Sequence, residues 1–474
     1  MERLFYVKTS EGFAEPPLPS RDPCVALAGF RRKLLTRISK PTPVPLAEVP
    51  LWFKGSRRKR IARAVERLTL WGLRKRDRGV IAFPKPEKWW KKSVPRIIQG
   101  PTPEYVASCA KFLKPLEHRV FRAIDEVWGA TTVMKGLDQD ARGLAISEAW
   151  GSFSDPVAIG MDASRFDQHV SKPMLRFEHS VYDAVYGSKE LRDLLKCQLE
   201  YQGRMYLPDG VIRYKMVGKR RSGDLNTSLG NILIMCAMCH TYVTELGLRP
   251  GKDVRLVNDG DDCVFVMERK FENVFCAGLA DWFRALGFTM VVEEPAYELE
   301  RLEFCQSRMV CVDGLWRMVR NPGKALQQDQ QLVKHSNFNV VEWAKAVGLC
   351  GLHVSRGVPM LQAFYEVMAQ GATTSSVLSH ADFRREAVAS LSGGKIASKA
   401  VDIAPSTRVS FWRAYGVDPS TQRIYEQLIA GAHLDFSTAR LSVRPGPGEH
   451  ALSTATHALL SVLFNNAESK YLAI

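Results

Sequence analysis

The amino-acid sequence predicts an α+β fold, on three observations. Two apolar, β-branched runs, Val254 to Val257 and Cys263 to Met267, flank the polar centre Asn258-Asp259-Gly260-Asp261-Asp262. Asp-Gly between such runs is the sequence form of a tight β-hairpin turn. A further apolar run, Val157 to Met161, ends in Asp162 and reads as a short buried strand. Helical spacing of apolar residues fills several of the other stretches and dominates the chain after about Lys324.

The totals bound what such a chain does. At 474 residues, with 46% hydrophobic residues, it is long enough for roughly two to four domain-sized units with a real core, which excludes a disordered chain. The 66 Lys and Arg against 50 Asp and Glu give a net charge of +16. That balance points to a polyanionic partner, nucleic acid or an anionic membrane surface. No apolar run approaches the roughly 18 to 20 residues that span a bilayer. The segment from Met1 lacks the charged-then-apolar pattern of a secretory signal, so a cytosolic protein is expected. Ten scattered cysteines fit reduced thiols. Cys236-Ala237-Met238-Cys239-His240 matches a short haem-attachment pattern and half of a zinc site. It lies in an apolar run with no second pair at finger-like spacing, so buried core cysteines are expected there.

Residues 1 to about 50 are rich in proline and short of periodicity, and an extended segment is expected. From Lys54 to Arg78 the chain is strongly basic, while Ile61, Val65 and Leu68 are spaced as one helix face. The expectation is a helix whose cationic side, with Arg57, Arg58, Lys59 and Arg60, meets a phosphate backbone; a nuclear-import signal is the other reading. Prolines around Phe83 to Gln99 exclude a regular helix, leaving extended strands or loops that carry Lys85, Lys88, Lys91, Lys92 and Arg96. Arg forks onto phosphate and Lys acts as a point charge, so this segment suits a triphosphate. A helix is expected from Tyr105 to Trp128.

Asp162 alone reads as a helix N-cap. Asp162 and Asp261 both follow apolar strands, however, so neighbouring strands bring both carboxylates to one edge of a sheet. Adjacent acids at a strand end repel and gain no folding energy. They suit a hard divalent cation, which takes oxygen ligands from one or two carboxylates plus substrate phosphates. Ser222-Gly223 makes a flexible turn into a long apolar helix running toward Leu246, with Asp224 or Asn226 near its start. Thr227 and Asn231 share one face of it, as a satisfied core network or as contacts to a ribose hydroxyl. A helix is expected over Phe271 to Leu286, a strand over Phe288 to Val292, and a hairpin turning at Asp313-Gly314.

In the order of these motifs the chain resembles the viral RNA-dependent RNA polymerases, specifically the positive-strand plant-virus enzymes of the tombusvirus, carmovirus and umbravirus kind. The resemblance covers roughly Phe83 to Ser307. It rests on Phe83 with Lys85 and Glu87-Lys88, Pro95-Arg96-Ile97-Ile98-Gln99, Asp162 with Asp167-Gln168-His169-Val170-Ser171, Ser222-Gly223-Asp224 with Asn226-Thr227 and Asn231, Gly260-Asp261-Asp262, and Glu303-Phe304-Cys305-Gln306. It implies a right-hand polymerase fold with fingers, an antiparallel-sheet palm and a mostly helical thumb. The implied division is N-terminal extension and fingers over 1–154, palm over 155–171, fingers over 172–217, palm over 218–304, and palm–thumb hairpin with helical thumb over 305–474.

The resemblance also implies the chemistry: copying of a viral positive-strand RNA genome from nucleoside triphosphates. Asp162 and Asp261 would bind two Mg²⁺ or Mn²⁺ ions with Asp262 assisting, and the metals would serve in-line nucleotidyl transfer. Asp167, Ser222, Gly223, Thr227 and Asn231 would recognise the incoming ribose, and Lys85, Lys88 and Arg96 would receive the triphosphate. Implied partners are the RNA template and nascent strand, an auxiliary viral replication protein and host factors. The implied place is the host-cell cytoplasm, at membrane-associated replication complexes reached indirectly. Related polymerases carry a lysine near the strand after the hairpin, and Phe288 to Val292 supplies none, so the general acid is unassigned. The alternative function is a non-catalytic basic RNA-binding or movement protein, which explains the charge and leaves Asp162, Asp261 and Asp262 without a purpose.

Overall fold

The computed structural model describes residues 2–9, 12–86, 94–330, 340–370, 399–431, 433–435 and 440–442. These fall into two compact units. The first takes in the chain up to Lys85, Val94–Lys135 and Glu148–Tyr297; the second takes in Gly136–Ser147 and the described residues from Glu298 onward.

A short antiparallel pair, β1 (Val7–Thr9) and β2 (Gly12–Ala14), opens the first unit. Where an extended segment is expected, two short helices follow, α1 (Pro23–Ala26) and α2 (Ala28–Leu35). Asp22 accepts the Cys24 amide at 2.8 Å with Pro23 in the first turn, a start signal that outweighs the local proline content. Leu27, Phe30 and Leu34 then supply a buried face. The cationic helix α3 (Gly55–Trp71) turns Ile61, Ala64, Val65 and Leu68 inward, as its spacing predicts. A hairpin of β3 (Val80–Pro84) and β4 (Ile97–Pro101) leads to α4 (Pro103–Trp128), whose first turn is capped by the Thr102 hydroxyl accepting from the Tyr105 amide.

The chain continues through α5 (Gln139–Trp150), β5 (Pro156–Ala163), the single turn α6 (Phe166–His169), α7 (Lys172–Tyr186) and α8 (Lys189–Leu199). A long hairpin follows, β6 (Glu200–Leu207) and β7 (Gly210–Val217), and then the helix α9 (Thr227–Glu245), buried almost all round because it is apolar all round. The hairpin β8 (Val254–Asp259) and β9 (Asp262–Glu268) forms where the sequence predicts it. The helix expected from Phe271 to Leu286 is broken at Ala277-Gly278 into α10 (Glu272–Cys276) and α11 (Leu279–Ala285), before the short strand β10 (Met290–Val292).

Two four-stranded sheets organise this unit. One runs β10-β5-β9-β8, antiparallel throughout. Val157, Ile159 and Met161 of β5 and Cys263, Phe265 and Met267 of β9 point from one face into a single core shared with α4, α7 and α9. The other runs β4-β3-β6-β7, with β3 and β6 parallel. Val80, Tyr201 and Met216 bury one of its faces, with Leu4, Phe5 and Tyr214 packed against them.

The second unit contains the antiparallel strands β11 (Glu303–Phe304), β12 (Ser307–Val312) and β13 (Leu315–Arg320), with Asp313-Gly314 at the β12–β13 turn as predicted. Helices α12 (Pro322–Gln328), α13 (Val340–Val354) and α14 (Leu361–Ala369) follow, then helices over Pro405–Tyr415 and Pro419–Ala430. Val310, Phe364, Tyr365 and Phe411 lie in its core. The architecture is thus mixed α and β with several antiparallel sheets. Among the described residues, no helix is long and apolar enough to cross a membrane.

One close approach in the second sheet is open to test. A Cβ on Gly203 of β6 would lie 2.0 Å from Cζ of Tyr214, the residue directly opposite on β7. Gly203→Ala therefore forces the Tyr214 ring off the strand. We expect a loss of about 1–3 kcal/mol, read as a lower urea midpoint at unchanged m-value.

Candidate active site

The register of the first sheet does what the spacing of the acids suggested. Asp162 on β5 stands directly opposite Asp262 on β9, and Asp262 stands opposite Asp259 on β8. Directly opposed residues of an antiparallel pair share a face, so three carboxylates form a row across three strands. Gly260 and Asp261 close the hairpin beside that row, with Gly260 at φ +91, a conformation that L side chains rarely adopt.

Asn258 shapes the turn. Fully buried, it donates from Nδ2 to the carbonyls of Gly260 at 2.8 Å and Asp262 at 3.1 Å, and accepts the Gly260 amide on Oδ1 at 3.1 Å. The Cys236 thiol of α9 donates to the same Oδ1 at 3.5 Å. Its backbone is held as well: the Asn258 amide donates to the Thr132 carbonyl at 2.8 Å, and its carbonyl accepts the Met134 amide at 2.9 Å. Asp125, near the end of α4, accepts the amides of Thr132 and Val133 at 2.8 and 2.9 Å. The hairpin tip is therefore tied to both α4 and α9.

The charges in this row oppose one another. Burial, followed by the charge of Asp261, pushes the Asp162 carboxyl above its ordinary range. Burial also pushes Asp261 up, with Asp259 adding to the rise, while its own backbone amide and the Arg96 guanidinium work the other way. Asp261 is reached by solvent yet crowded by protein. Lys135 places its Nζ 4.0 Å from Asp259 Oδ1.

A buried polar network adjoins the turn. Asn231 donates from Nδ2 to Asp167 Oδ1 at 2.9 Å, and accepts Nε of Arg220 on Oδ1 at 2.9 Å. Its Cβ lies 3.8 Å from where a Cβ on Gly260 would be. Arg220 continues to Glu178 at 2.5 Å in a pair that is almost wholly buried. Glu178 also accepts Asn226 Nδ2 at 2.7 Å and the Tyr182 hydroxyl at 2.9 Å. Burial works against ionising Glu178, but the Arg220 guanidinium and the hydrogen bonds from Arg220 and Tyr182 outweigh it and hold the carboxyl below its ordinary range. Burial raises the Asp167 carboxyl, against the pull of Asn231 and Arg220.

Ser222 docks the turn before α9 on the outer edge of β4, donating to the Ile97 carbonyl and accepting the Gln99 amide, both at 3.2 Å. Gly223 is required there because a Cβ would lie 2.5 Å from the Gln99 carbonyl oxygen. The Thr227 hydroxyl is directed at the carbonyls of Arg221 at 2.8 Å and Asp224 at 3.1 Å, so in this structure it closes the turn. The Lys85 amide donates to the Arg96 carbonyl at 2.7 Å, setting those two residues side by side at the end of the β3–β4 hairpin.

The structure thus brings together Asp162, Asp261, Asp262 and Arg96, and beside them Asp167 and Asn231. Arg58, Lys59 and Arg60 stand exposed on α3, where Arg57 lies over the Phe53 ring at 5.0 Å. Lys88, Lys91 and Lys92 lie outside the described residues. Sequence reasoning gave no role to Asn258, Arg220, Glu178 or Lys135; only Asn258 carried a signal, an Asn ahead of an Asp-Gly turn. Cys236 and Cys239 are fully buried on α9, and His240 lies edge-on to Phe30 and Trp128, so that run is core.

Comparison with known proteins decides the family. The profile described as viral RNA dependent RNA polymerase matches residues 1–437. This chain belongs to that family. Among similar proteins, the RNA-directed RNA polymerase of Oat chlorotic stunt virus is 36% identical over 92% of this chain and 61% of its own length. That of Tomato bushy stunt virus is 35% identical over 92% of this chain and 53% of its own. That of Turnip crinkle virus is 36% identical over 90% of this chain and 56% of its own. The chain spans about half the length of the curated relatives it matches. The non-catalytic alternative is not favoured by a match of this extent.

Two outcomes follow for this polymerase-family chain. Raised carboxyls at Asp162 and Asp261 mean that their ionised forms cost the fold stability at neutral pH, and that this cost is relieved as pH falls through the raised values. Without divalent ions, Asp261→Asn should melt higher than the parent at pH 7, the gap closing toward pH 4, and Mn²⁺ should raise the parent's melting point more than the variant's. Asn258→Ala strands the Gly260 amide and two carbonyls. We expect a loss of about 1–3 kcal/mol in denaturant titration, together with weaker Mn²⁺ binding by calorimetry.

Proposed function

We propose that this chain is the polymerising part of a viral RNA-dependent RNA polymerase, joining nucleoside triphosphates on an RNA template in a positive-strand plant virus. The observation that carries the reading is the register that sets Asp162 directly opposite Asp262, with Asp261 in the adjoining turn. In this reading the β10-β5-β9-β8 sheet is the palm and the β4-β3-β6-β7 sheet belongs to the fingers. The helices after the β12–β13 hairpin are the thumb.

Among the described residues, no group of three or more acid, histidine or cysteine side chains stands where it could hold an ion alone. Carboxylates that repel one another and leave ligand positions for substrate phosphate fit Mg²⁺ or Mn²⁺. Asp162 and Asp261 would hold two such ions, with Asp262 assisting. Bound there, the ions supply charge for the triphosphate and lower the pKa of the attacking hydroxyl.

The chain's own groups do the rest. Lys85 and Arg96, with Lys88, receive the triphosphate at the end of the β3–β4 hairpin. Asp167 is held by Asn231 through one oxygen, and a carboxylate has further lone pairs with which to accept a ribose 2′-hydroxyl. Ser222, Gly223 and Thr227 act by fixing the turn from which α9 presents Asn231. Proton delivery to pyrophosphate is not the task of β10, which carries no lysine; Arg96 and Lys135 are cations beside the acids. Arg57, Arg58, Lys59 and Arg60 contact RNA backbone. An auxiliary viral protein and host factors carry the enzyme to replication complexes on host membranes in the cytoplasm.

The test is incorporation of labelled nucleotide by purified chain on a short RNA template with Mg²⁺ or Mn²⁺. Asp261→Asn should reduce product to background while its affinity for RNA stays within about threefold of the parent, because phosphate contacts set that affinity. Intact RNA binding without product from the parent, or RNA loss that needs metal but no nucleotide, overturns the reading.

A further inference from the structure

The β4-β3-β6-β7 sheet has two unlike faces. One is closed by Val80, Tyr201 and Met216. On the other, strand alternation turns Ile81 and Phe83 of β3 outward while Val80 and Ala82 turn in. The register continues that outer face across the sheet: Ile81 lies beside Arg204, Arg204 beside Arg213, Tyr206 beside Val211 and Gln202 beside Lys215.

Two aromatic rings stand open on it, Phe83 at 45% and Tyr206 at 60% exposure. The Phe83 ring reaches across Gly100 of β4, where a Cβ would come within 3.4 Å of Cε1. Arg204, Arg213 and Lys215 supply three exposed cations. The acid on this face, Glu200, is bound to Lys172 at 2.5 Å and lies 3.9 Å from Lys215. Arg204 and Arg213 are directly opposed, an arrangement that destabilises a strand pair unless an anion shares it.

We propose that this face is a stacking platform for single-stranded RNA. Phe83 and Tyr206 each take a base against the ring, and Arg204, Arg213 and Lys215 take the phosphates between and beyond them. An open four-stranded sheet with outward aromatics accepts splayed bases, because every base has a π-face. A duplex keeps its bases stacked inside and offers these rings nothing. The inference rests on the polymerase reading to this extent, that a template reaches such an enzyme as a single strand.

The test uses the full chain without nucleotides or divalent ions, so it is independent of turnover. Binding of a fluorescein-labelled, unstructured RNA of about ten nucleotides is followed by anisotropy at several salt concentrations, beside a duplex of equal length. Phe83→Ala with Tyr206→Ala should weaken single-strand binding about tenfold or more and leave the salt slope and duplex binding unchanged. Phe83→Tyr with Tyr206→Phe should bind as the parent does, which separates loss of the rings from loss of the fold. Arg204→Gln with Arg213→Gln should flatten the slope of log affinity against log salt by about one.

Single-strand affinity within about twofold of the parent in the alanine variant overturns the proposal, since each stacked base is worth more than that. So does equal loss for single strand and duplex, or altered sedimentation of the alanine variant without altered RNA binding, which would make the face a contact between copies. Failure of the polymerase reading shows elsewhere, as absence of nucleotide incorporation by a parent chain that still binds single strands through these rings.

Discussion

Asp162 and Asp262 face one another across an antiparallel strand pair, and much of the first unit is arranged so that they have to. Opposed like charges push a strand pair apart, so the acids themselves do not favour the register that pairs them. The register is fixed instead from the other face. Val157, Ile159 and Met161 alternate with Ala158, Gly160 and Asp162, and their partners Phe265 and Met267 lie in the same core. A slip of one residue would turn that set away from the core it shares with α4, α7 and α9 and carry the acid into it. The packing of the sheet, buried on its second face too at Ala158, Val264 and Val266, therefore holds the opposed acids in register at its end.

The same logic accounts for the polar network beneath the turn. A buried Arg220–Glu178 pair adds little stability compared with apolar packing of similar volume, while removal of one partner is costly. What the pair does here is fix direction. Arg220 turns two nitrogens to Glu178 and the third to Asn231, which is thereby oriented with its amide nitrogen toward Asp167. Asn226, Gln198 and His179 close the far end, His179 held neutral by burial that brings its pKa to about 4.

What could be read from the sequence follows from where local preference and long-range pairing agree. The β8–β9 hairpin was legible because Asp-Gly between β-branched runs is a local signal, and Asp162 because an acid ending an apolar strand defies the composition around it. Thr227 and Asn231 were legible as sharing one face of α9, and a core network is what the structure shows at Asn231, which bonds Asp167 and Arg220. Glu178 was invisible, since its pairing with Arg220 spans 42 positions and no local pattern announces it. Asn258 was visible as a turn residue but not as a double-sided one, because its partners Thr132, Met134 and Cys236 come from two other helices' surroundings. The short helices near the N-terminus were hidden under proline, which reads as a breaker unless the Asp22 cap before Pro23 is weighed first.

The geometry also says why a helix, and not a loop, lies between the cations and the acids. Ser222 and Gly223 are fixed to the edge of β4, close in sequence to Arg96, by contacts that leave no room for a side chain at Gly223. Asn231 lies one helical turn beyond Thr227 on α9 and meets the hairpin at Gly260. Over those four residues the helix rises about 6 Å along a rigid axis. The separation of the β3–β4 hairpin from the carboxylate row is thus set by a buried helix with a fixed pitch. Under the proposed function, a triphosphate held between those cations and those acids gains more from that stiffness than from any further charge.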